Sequence, residues 1–316
     1  MGGGNDGRRT AIDGGLTCRE PALPAAAGGG PARLGALFVL AKPGIVAAVA
    51  LAGYAGMVLA ARGTPAPRTT LVCLVALVLT AGGAALLNVL LEAASDARMA
   101  RLGRRNAALR QVGTGTTLVA AGGALALGLA LDFTLLPPLT GLLTLAAIIA
   151  YAVVYTLWLK RRSPYGAVPG GIPGALPVLI GYSAVATTIG FDGVLLFLVM
   201  LLWQPPHFWT LALHYREDYR RAGIPALPAV RGATYTTIMI FLYATALVPA
   251  SLALWAFGCC SVRFAGIALL LGLAFLGACF RYLVATSRYR RAFAASLLYL
   301  VALLTAIIVD LVGRGA

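Results

Sequence analysis

Long apolar segments alternate with short polar ones along most of the chain. A helix needs about 20 apolar residues to cross the hydrocarbon core of a bilayer. Nine segments approach or exceed that length, at residues 37–60, 70–93, 115–131, 134–158, 168–189, 193–213, 236–257, 264–286 and 292–312. The pattern therefore predicts an all-α fold, a polytopic membrane bundle of about nine transmembrane helices, in which the third helix is the shortest.

The composition supports a membrane environment. Sixty per cent of the 316 residues are hydrophobic, only 11% are charged, and the mean hydropathy is +0.89. A soluble protein could not bury so much apolar surface in its core, whereas an α-helical membrane protein can turn it toward lipid. The composition therefore excludes an ordinary soluble domain.

The basic residues predict the orientation. Of the 25 Lys and Arg, 21 precede the first predicted span or lie near the ends of the second, fourth, sixth and eighth, and four lie on the opposite side. Short loops rich in positive charge stay on the cytoplasmic side. We therefore expect a cytoplasmic N-terminus and, after nine crossings, an external C-terminus. The net charge of +15 indicates this topology and an anionic ligand rather than nucleic-acid binding.

The N-terminal residues differ from the rest. Residues 1–33 are rich in Gly, Ala and Pro and lack the apolar run of a signal peptide, which predicts a disordered cytoplasmic tail before a transmembrane domain at 34–316. The five cysteines show no CxxC or Cys/His ligand spacing. We interpret them as small apolar residues.

A first acidic cluster ends the second predicted span, in the stretch NVLLEAASDARMARLGRR. Asn88, Glu92 and Asp96 are spaced by four residues, which places three oxygen-bearing side chains on one helical face. Two carboxylates and an amide oxygen suit Mg²⁺, which also takes phosphate oxygens and water. The arginines that follow could neutralise a diphosphate; they are Arg98, Arg101, Arg104 and Arg105. The alternative is a helix end that places its acids at the membrane interface.

A second cluster, WQPPHFWTLALHYREDY, ends the sixth predicted span and contains both histidines of the chain. Pro205 and Pro206 predict a break or bend just before His207. If a helix resumes there, His207 and His214 face the same way, since they are seven residues apart. Glu217 and Asp218 follow. The alternative is that each histidine is an interhelical hydrogen-bonding group and that the aromatic residues form an interfacial belt.

These stretches resemble a known family, the intramembrane UbiA-type prenyltransferases. The segment from Asn88 to Asp96 is similar to the family's first acidic motif, N-x-x-x-D-x-x-x-D, with Glu92 in place of its first Asp. YTLWLKRRSPYGAVPGGIPGALP and LLWQPPHFWTLALHYREDYRRAGIPALP resemble the heme O synthase branch. The resemblance covers about residues 38–235. His214 stands where this branch often has an aromatic residue, and Asn106 where proline is common.

The resemblance implies an enzyme of the bacterial cytoplasmic membrane that joins farnesyl diphosphate and heme B to give heme O and diphosphate. It implies a Mg²⁺ cofactor held by Asn88, Glu92 and Asp96 on one side and by Asp218 with Glu217 on the other. It implies diphosphate binding by Lys160, Arg161, Arg98 and Arg105, and heme contacts at His207 and His214. Asn88, Glu92, Asp96, Lys160 and Asp218 are then the candidate catalytic residues. The implied partners are membrane lipid and heme A synthase or terminal oxidase assembly proteins.

Three other functions fit parts of the pattern. A UbiA-type enzyme with an aromatic or quinone-precursor acceptor would carry a second D-x-x-x-D motif, which this chain lacks. A transporter of an organic anion would also place acids within the membrane, but at the midplane and not at one face. A heme-handling protein without catalytic activity would need His207 and not Glu92.

Overall fold

The computed structural model describes residues 30–315, and all regular structure in this part of the chain is helical. The helices are α1 (Gly30–Leu40), α2 (Pro43–Ala61), α3 (Pro67–Asp96), α4 (Gly103–Val112), α5 (Thr114–Leu135), α6 (Pro138–Arg162), α7 (Pro169–Ala186), α8 (Phe191–His214), α9 (Arg216–Arg221), α10 (Leu227–Ala256), α11 (Val262–Val284) and α12 (Tyr289–Gly315). Residues 1–29 of the predicted tail, 1–33, lie outside the described part of the chain. The last four residues of that tail form the start of α1.

Nine helices in residues 30–315 are long and apolar enough to cross a membrane, which confirms the predicted bundle. They are α2, α3, α5, α6, α7, α8, α10, α11 and α12. The third span is longer than predicted and reaches 22 residues. The first begins at Pro43 rather than residue 37, because the chain turns at Lys42, whose φ of 56° is left-handed. Proline disfavours a helical conformation in the residue before it, so α1 ends there.

Small residues allow the membrane helices to approach closely. α2 packs on α7 with Gly56 against the backbone of Val178 and Gly181 against the backbone of Gly53. A Cβ at Gly56 or Gly181 would overlap the facing carbonyl group. Contacts of this kind are typical of membrane bundles, because lipid tails are as apolar as the helices and close packing must hold them together.

The end of the bundle predicted to face the cytoplasm carries short helices that the apolar pattern did not predict. After α3 the chain makes a 3₁₀ turn at Ala100–Leu102 and then forms α4. α1 packs against α4, and the two meet through an apolar cluster that includes Leu40 and Ala108. These helices cover one side of the acidic end of α3.

The sequence predicts a break or a bend before His207, and the break does not occur. α8 continues through Pro205 and Pro206 and ends only at His214, after which Tyr215 leaves helical geometry at φ −108° and ψ 29°. Each proline removes one backbone donor from the helix. Packing holds the helix together across this gap, since both prolines and Trp203 are buried, and the Trp203 indole donates to the Ser296 carbonyl of α12 at 2.8 Å.

Candidate active site

A small pocket of about 160 Å³ lies where α3, α6 and the short helices meet. Its wall combines acids, cations and aromatic rings. The lining residues are Lys42, Asn88, Glu92, Asp96, Arg101, Leu102, Arg105, Tyr151, Tyr155, Lys160, Phe208, Leu211 and Tyr219. The predicted stripe on α3 therefore lines a pocket together with two of the predicted diphosphate-binding residues, Lys160 and Arg105.

Each member of the stripe is buried and paired with a cation. Asn88, Glu92 and Asp96 are 2%, 4% and 2% exposed. Lys42 donates to Asn88 Oδ1 at 2.5 Å, and Lys160 Nζ lies 2.5 Å from Glu92 Oε1. Arg105 pairs with Asp96. A buried charge is costly unless it is paired and hydrogen-bonded, and the two ion pairs supply such partners to both carboxylates.

Three separate elements bring the cations to the stripe. Lys42 occupies the left-handed turn between α1 and α2, and Arg105 lies on α4. Lys160 follows a π-helical stretch of α6, Ala150–Leu159, in which the Thr156 hydroxyl donates to the Tyr151 carbonyl at 2.8 Å. Asn88 in turn donates to that hydroxyl at 3.1 Å. π-Helical turns are frequent at functional sites, and here one aligns α6 with the stripe.

The pocket carries more positive than negative charge. Four cations line it, at Lys42, Arg101, Arg105 and Lys160, against two carboxylates, at Glu92 and Asp96. Burial, and then the nearby Arg105, lower the pKa of Lys42 to about 7. Burial also lowers the pKa of Arg105. The guanidinium Nε atoms of Arg101 and Arg105 are buried and have no hydrogen-bond partner within residues 30–315. An anion such as a diphosphate in the pocket would offset the mutual repulsion of these cations.

The donor set also fits Mg²⁺. The described residues contain no group of three or more His, Cys, Asp or Glu arranged to hold a metal ion by themselves. Mg²⁺ does not require such a cage, because it commonly uses one or two carboxylates and takes its other ligands from substrate phosphates and water. Glu92 and Asp96, with the Asn88 amide oxygen, supply such a partial set.

The second acidic cluster contributes less than the sequence predicts. Asp218 is buried but does not line the pocket. It accepts the backbone N–H of Arg101 at 3.2 Å and pairs with Arg221 at 2.8 Å. Asp218 therefore fixes the turn that carries Arg101. Glu217 is not brought to the pocket: its side chain is 65% exposed and lies 3.5 Å from Arg220.

Two of the predicted diphosphate-binding residues lie outside the pocket wall. Arg98 is exposed, and Arg161 is exposed with its guanidinium on the Leu91 carbonyl at 3.1 Å. Lys42 and Arg101 line the pocket instead. The sequence offers one signal for Lys42, since it is a lysine directly before a helix-starting proline in an otherwise apolar stretch. Arg101 was named only as one of four arginines after the stripe.

The histidines do not share one environment. His207 is stacked between Trp203 and Phe293, with ring centroids 4.3 and 4.5 Å away. His207 Nδ1 lies 2.8 Å from the Ser296 hydroxyl, and that hydroxyl donates to the Phe293 carbonyl at 2.7 Å. Because its proton is used there, the hydroxyl accepts from Nδ1–H, which leaves Nε2 with the free lone pair. His214 is exposed. Neither ring lines the polar pocket, although Phe208, beside His207, does.

A membrane helix bundle with a pocket of acidic and basic side chains at one end has the architecture of an intramembrane prenyltransferase. Residues 46–308 match the UbiA prenyltransferase family, and the chain belongs to it. It is 57% identical to the protoheme IX farnesyltransferase of Geotalea uraniireducens (strain Rf4) over 82% of this chain and 100% of that protein. It is 38% identical to the protoheme IX farnesyltransferase of Polaromonas naphthalenivorans (strain CJ2), over 89% of this chain and 93% of that protein.

Solved structures show the same fold. A UbiA homolog from Archaeoglobus fulgidus bound to DMAPP and Mg²⁺ has a TM-score of 0.65 at 14% identity, covering 86% of this chain and 98% of that one. The apo structure of a UbiA homolog from Aeropyrum pernix K1 has a TM-score of 0.67 at 19% identity, covering 87% and 98%. These likenesses establish the architecture and confirm the predicted UbiA-like fold.

Proposed function

We propose that the protein transfers the farnesyl group of farnesyl diphosphate to a vinyl group of heme B, giving heme O and diphosphate. The observation that carries the proposal is the pocket in which the Asn88, Glu92 and Asp96 stripe faces four cations. The high identity to a protoheme IX farnesyltransferase supports the choice of heme as acceptor. The missing second D-x-x-x-D motif argues against an aromatic or quinone-precursor acceptor.

The pocket suits the departure of a diphosphate. As the bond between farnesyl C1 and oxygen breaks, both electrons leave with the diphosphate, so negative charge grows on its oxygens. Lys42, Lys160, Arg101 and Arg105 would bind that charge, and preorganised cations in a partly buried site stabilise it more than water does. Asn88, Glu92 and Asp96 would hold Mg²⁺. When bound, the ion would supply Lewis-acid neutralisation of the leaving group.

The aromatic part of the pocket wall suits the allylic carbon cation that the farnesyl group forms. Tyr151, Tyr155 and Phe208 line the same pocket and can exclude water from an allylic cation while stabilising it through their ring faces. The cation carbon bonds to the terminal vinyl carbon of heme B. Water then adds its oxygen to the adjacent carbon and releases one proton, so that farnesyl diphosphate, heme B and water give heme O, diphosphate and a proton.

His207 is the candidate heme contact. Its free Nε2 can ligate iron or accept a proton, and its stacking between two rings fixes the plane of the imidazole. His214 is the weaker candidate because it is exposed. We further propose that the protein lies in the bacterial cytoplasmic membrane with its N-terminus inside, and that its product serves terminal oxidase assembly, with heme A synthase as a candidate partner.

The test is direct conversion. The purified protein in lipid nanodiscs receives heme B, farnesyl diphosphate and Mg²⁺, and the extracted hemes are analysed by mass. We expect a heme whose mass has increased by one farnesyl group and one hydroxyl group. Parallel reactions replace heme B with an aromatic acceptor or omit Mg²⁺ in the presence of a chelator. Unchanged heme from folded protein with both substrates, or prenylation of the aromatic acceptor alone, would refute the proposal.

A further inference from the structure

A second and larger cavity lies away from the polar pocket. It is a groove of about 890 Å³ between α10 and the junction of α11 with α12. Its wall is mainly apolar, and three of its lining residues, Ile238, Leu242 and Val284, are more than half exposed. The groove therefore opens sideways on the helices that face lipid.

The backbone is irregular where it borders the groove. Pro249 lies inside α10, so the Thr245 carbonyl one turn earlier loses its helical donor, and both residues line the groove. α11 ends in a π-helical turn, Phe280–Val284, and Ser287 has a left-handed φ of 49°. Irregular backbone at membrane depth is tolerated where it borders protein or a cavity that supplies partners. The proline within α10 is of this kind, whereas the π-helical turn and Ser287 belong to the end of α11 and the loop that follows it.

Uncompensated positive charge follows or precedes the groove residues along the chain. Five exposed arginines each lie within two residues of a lining position: Arg231, Arg281, Arg288, Arg290 and Arg291. The sequence has no Asp or Glu between Asp218 and Asp310. Within residues 30–315 none of these five forms an ion pair. The positive-inside rule explains arginines on this side of the membrane, and the segments that carry these five also supply residues of the groove wall.

We propose that this groove binds an anionic phospholipid. Its acyl chain would lie in the apolar part of the groove and its headgroup phosphate among the five arginines. The positive charge of the five arginines complements a lipid with net negative charge. Basic sites between membrane helices on the cytoplasmic side are known to bind such headgroups. The volume lies within the range of about 300–1,000 Å³ that is usual for small-molecule sites. The site is separate from the polar pocket and does not depend on the proposed reaction.

The first test measures lipid selectivity. The full chain is delipidated in detergent and titrated with phosphatidylglycerol or with phosphatidylcholine of the same acyl chains. Retained lipid is measured by native mass spectrometry and Tm by thermal unfolding. We expect one tightly retained phosphatidylglycerol, a rise in Tm with that lipid, and little effect of phosphatidylcholine. Equal effects of the two lipids would overturn the proposal.

The second test locates the headgroup. Arg288→Gln combined with Arg290→Gln should weaken phosphatidylglycerol binding by about tenfold or more, because each basic residue contributes to the attraction. The matched control is Arg68→Gln combined with Arg263→Gln, which removes two exposed arginines from the opposite end of the bundle. The control should keep the affinity of the unmodified chain. An equal loss in both double variants would show a general charge effect and reject the site.

The third test locates the acyl chain. Ala246→Trp fills the groove, whereas Leu270→Trp adds the same ring at an exposed position of α11 outside it. We expect only Ala246→Trp to release the bound phosphatidylglycerol. If it leaves lipid binding intact and instead abolishes the heme B titration, the groove holds heme and the proposal is wrong. If Ala246→Trp does not fold, the arginine variants alone decide.

Discussion

At the scale of single residues, the site pairs each of its two acids with a cation and adds further positive charge. Asp96 is neutralised by Arg105 and Glu92 by Lys160, and two further cations face them from Lys42 and Arg101. In the proposed reaction the acids would have two tasks: they would offer oxygens to Mg²⁺, and they offset the repulsion among the cations. Removing an acid affects both tasks, whereas shortening its side chain affects only the geometry.

Asp96→Ala should lower turnover by several orders of magnitude, because it removes a metal ligand and leaves Arg105 without its partner. Glu92→Asp keeps the charge and should be mild. Glu217→Gln should retain near-normal turnover, since that carboxylate is exposed and outside the pocket. Steady-state turnover, with circular dichroism and Tm as folding controls, checks all three. Near-normal turnover of Asp96→Ala would show that the stripe is structural.

Ser296 should act on heme through His207. Ser296→Ala removes the acceptor for Nδ1–H, so the imidazole loses its fixed tautomer and orientation. We expect weaker heme B binding and a shifted Soret band, while Ser296→Thr, which keeps the hydroxyl, restores both. His207→Ala should weaken heme binding further and leave affinity for a farnesyl diphosphate analogue nearly unchanged. Equal loss of both affinities would instead indicate misfolding or a wrong site assignment.

At the scale of the elements, sequence reasoning succeeded where one periodicity dominates. The apolar segments predicted all nine membrane helices in the described chain, and the spacing of Asn88, Glu92 and Asp96 predicted one shared face on α3. Sequence reasoning failed where tertiary contacts decide the local structure. The residues of α4 are polar and resemble a loop, yet packing on α1 keeps them helical. Pro205 and Pro206 favour a break that buried neighbours prevent.

The long-range pairings also could not be predicted from spacing. Lys42 is 46 residues from Asn88, and Lys160 is 68 residues from Glu92. Their contacts depend on how α2 and α6 pack against α3. The Lys160 pairing depends in addition on the π-helical register of α6, which no apolar pattern indicates. The resemblance to the family supplied Lys160 as a candidate, and the residues alone did not.

The contact between α2 and α7 should be the most sensitive to added volume. Gly181→Ala places a methyl group against the Gly53 carbonyl, and neither backbone can move without separating two buried helices. Overpacking costs typically about 1–3 kcal/mol and occasionally more, so Tm should fall clearly. Gly266→Ala is the matched control, because nothing lies within 4 Å of the added carbon. A similar Tm for both variants would contradict the close contact.

At the scale of the whole molecule, charge is distributed between the two ends of the bundle. The polar pocket and 16 arginines and lysines of the described loops and helix ends, from Arg98 to Arg291, lie on the side predicted to be cytoplasmic. Arg62, Arg68, Arg263 and Arg314 lie on the other, where Arg62 pairs with Asp192 and Arg314 with Asp310. The unpaired positive charge is therefore concentrated at the end of the bundle predicted to be cytoplasmic.

This asymmetry predicts a fixed orientation. Nine crossings place the two ends of the described chain on opposite sides, and the positive-inside rule assigns the α1 end to the cytoplasm. A reporter fused after Arg314 should therefore be active only if it works outside the cytoplasm, as alkaline phosphatase does, and green fluorescent protein fused there should stay dark. Fusion after Ser287, which removes α12, reverses the side and should reverse both signals. Fluorescence from the full-length fusion would overturn the orientation and with it the assignment of the diphosphate pocket to the cytoplasmic face.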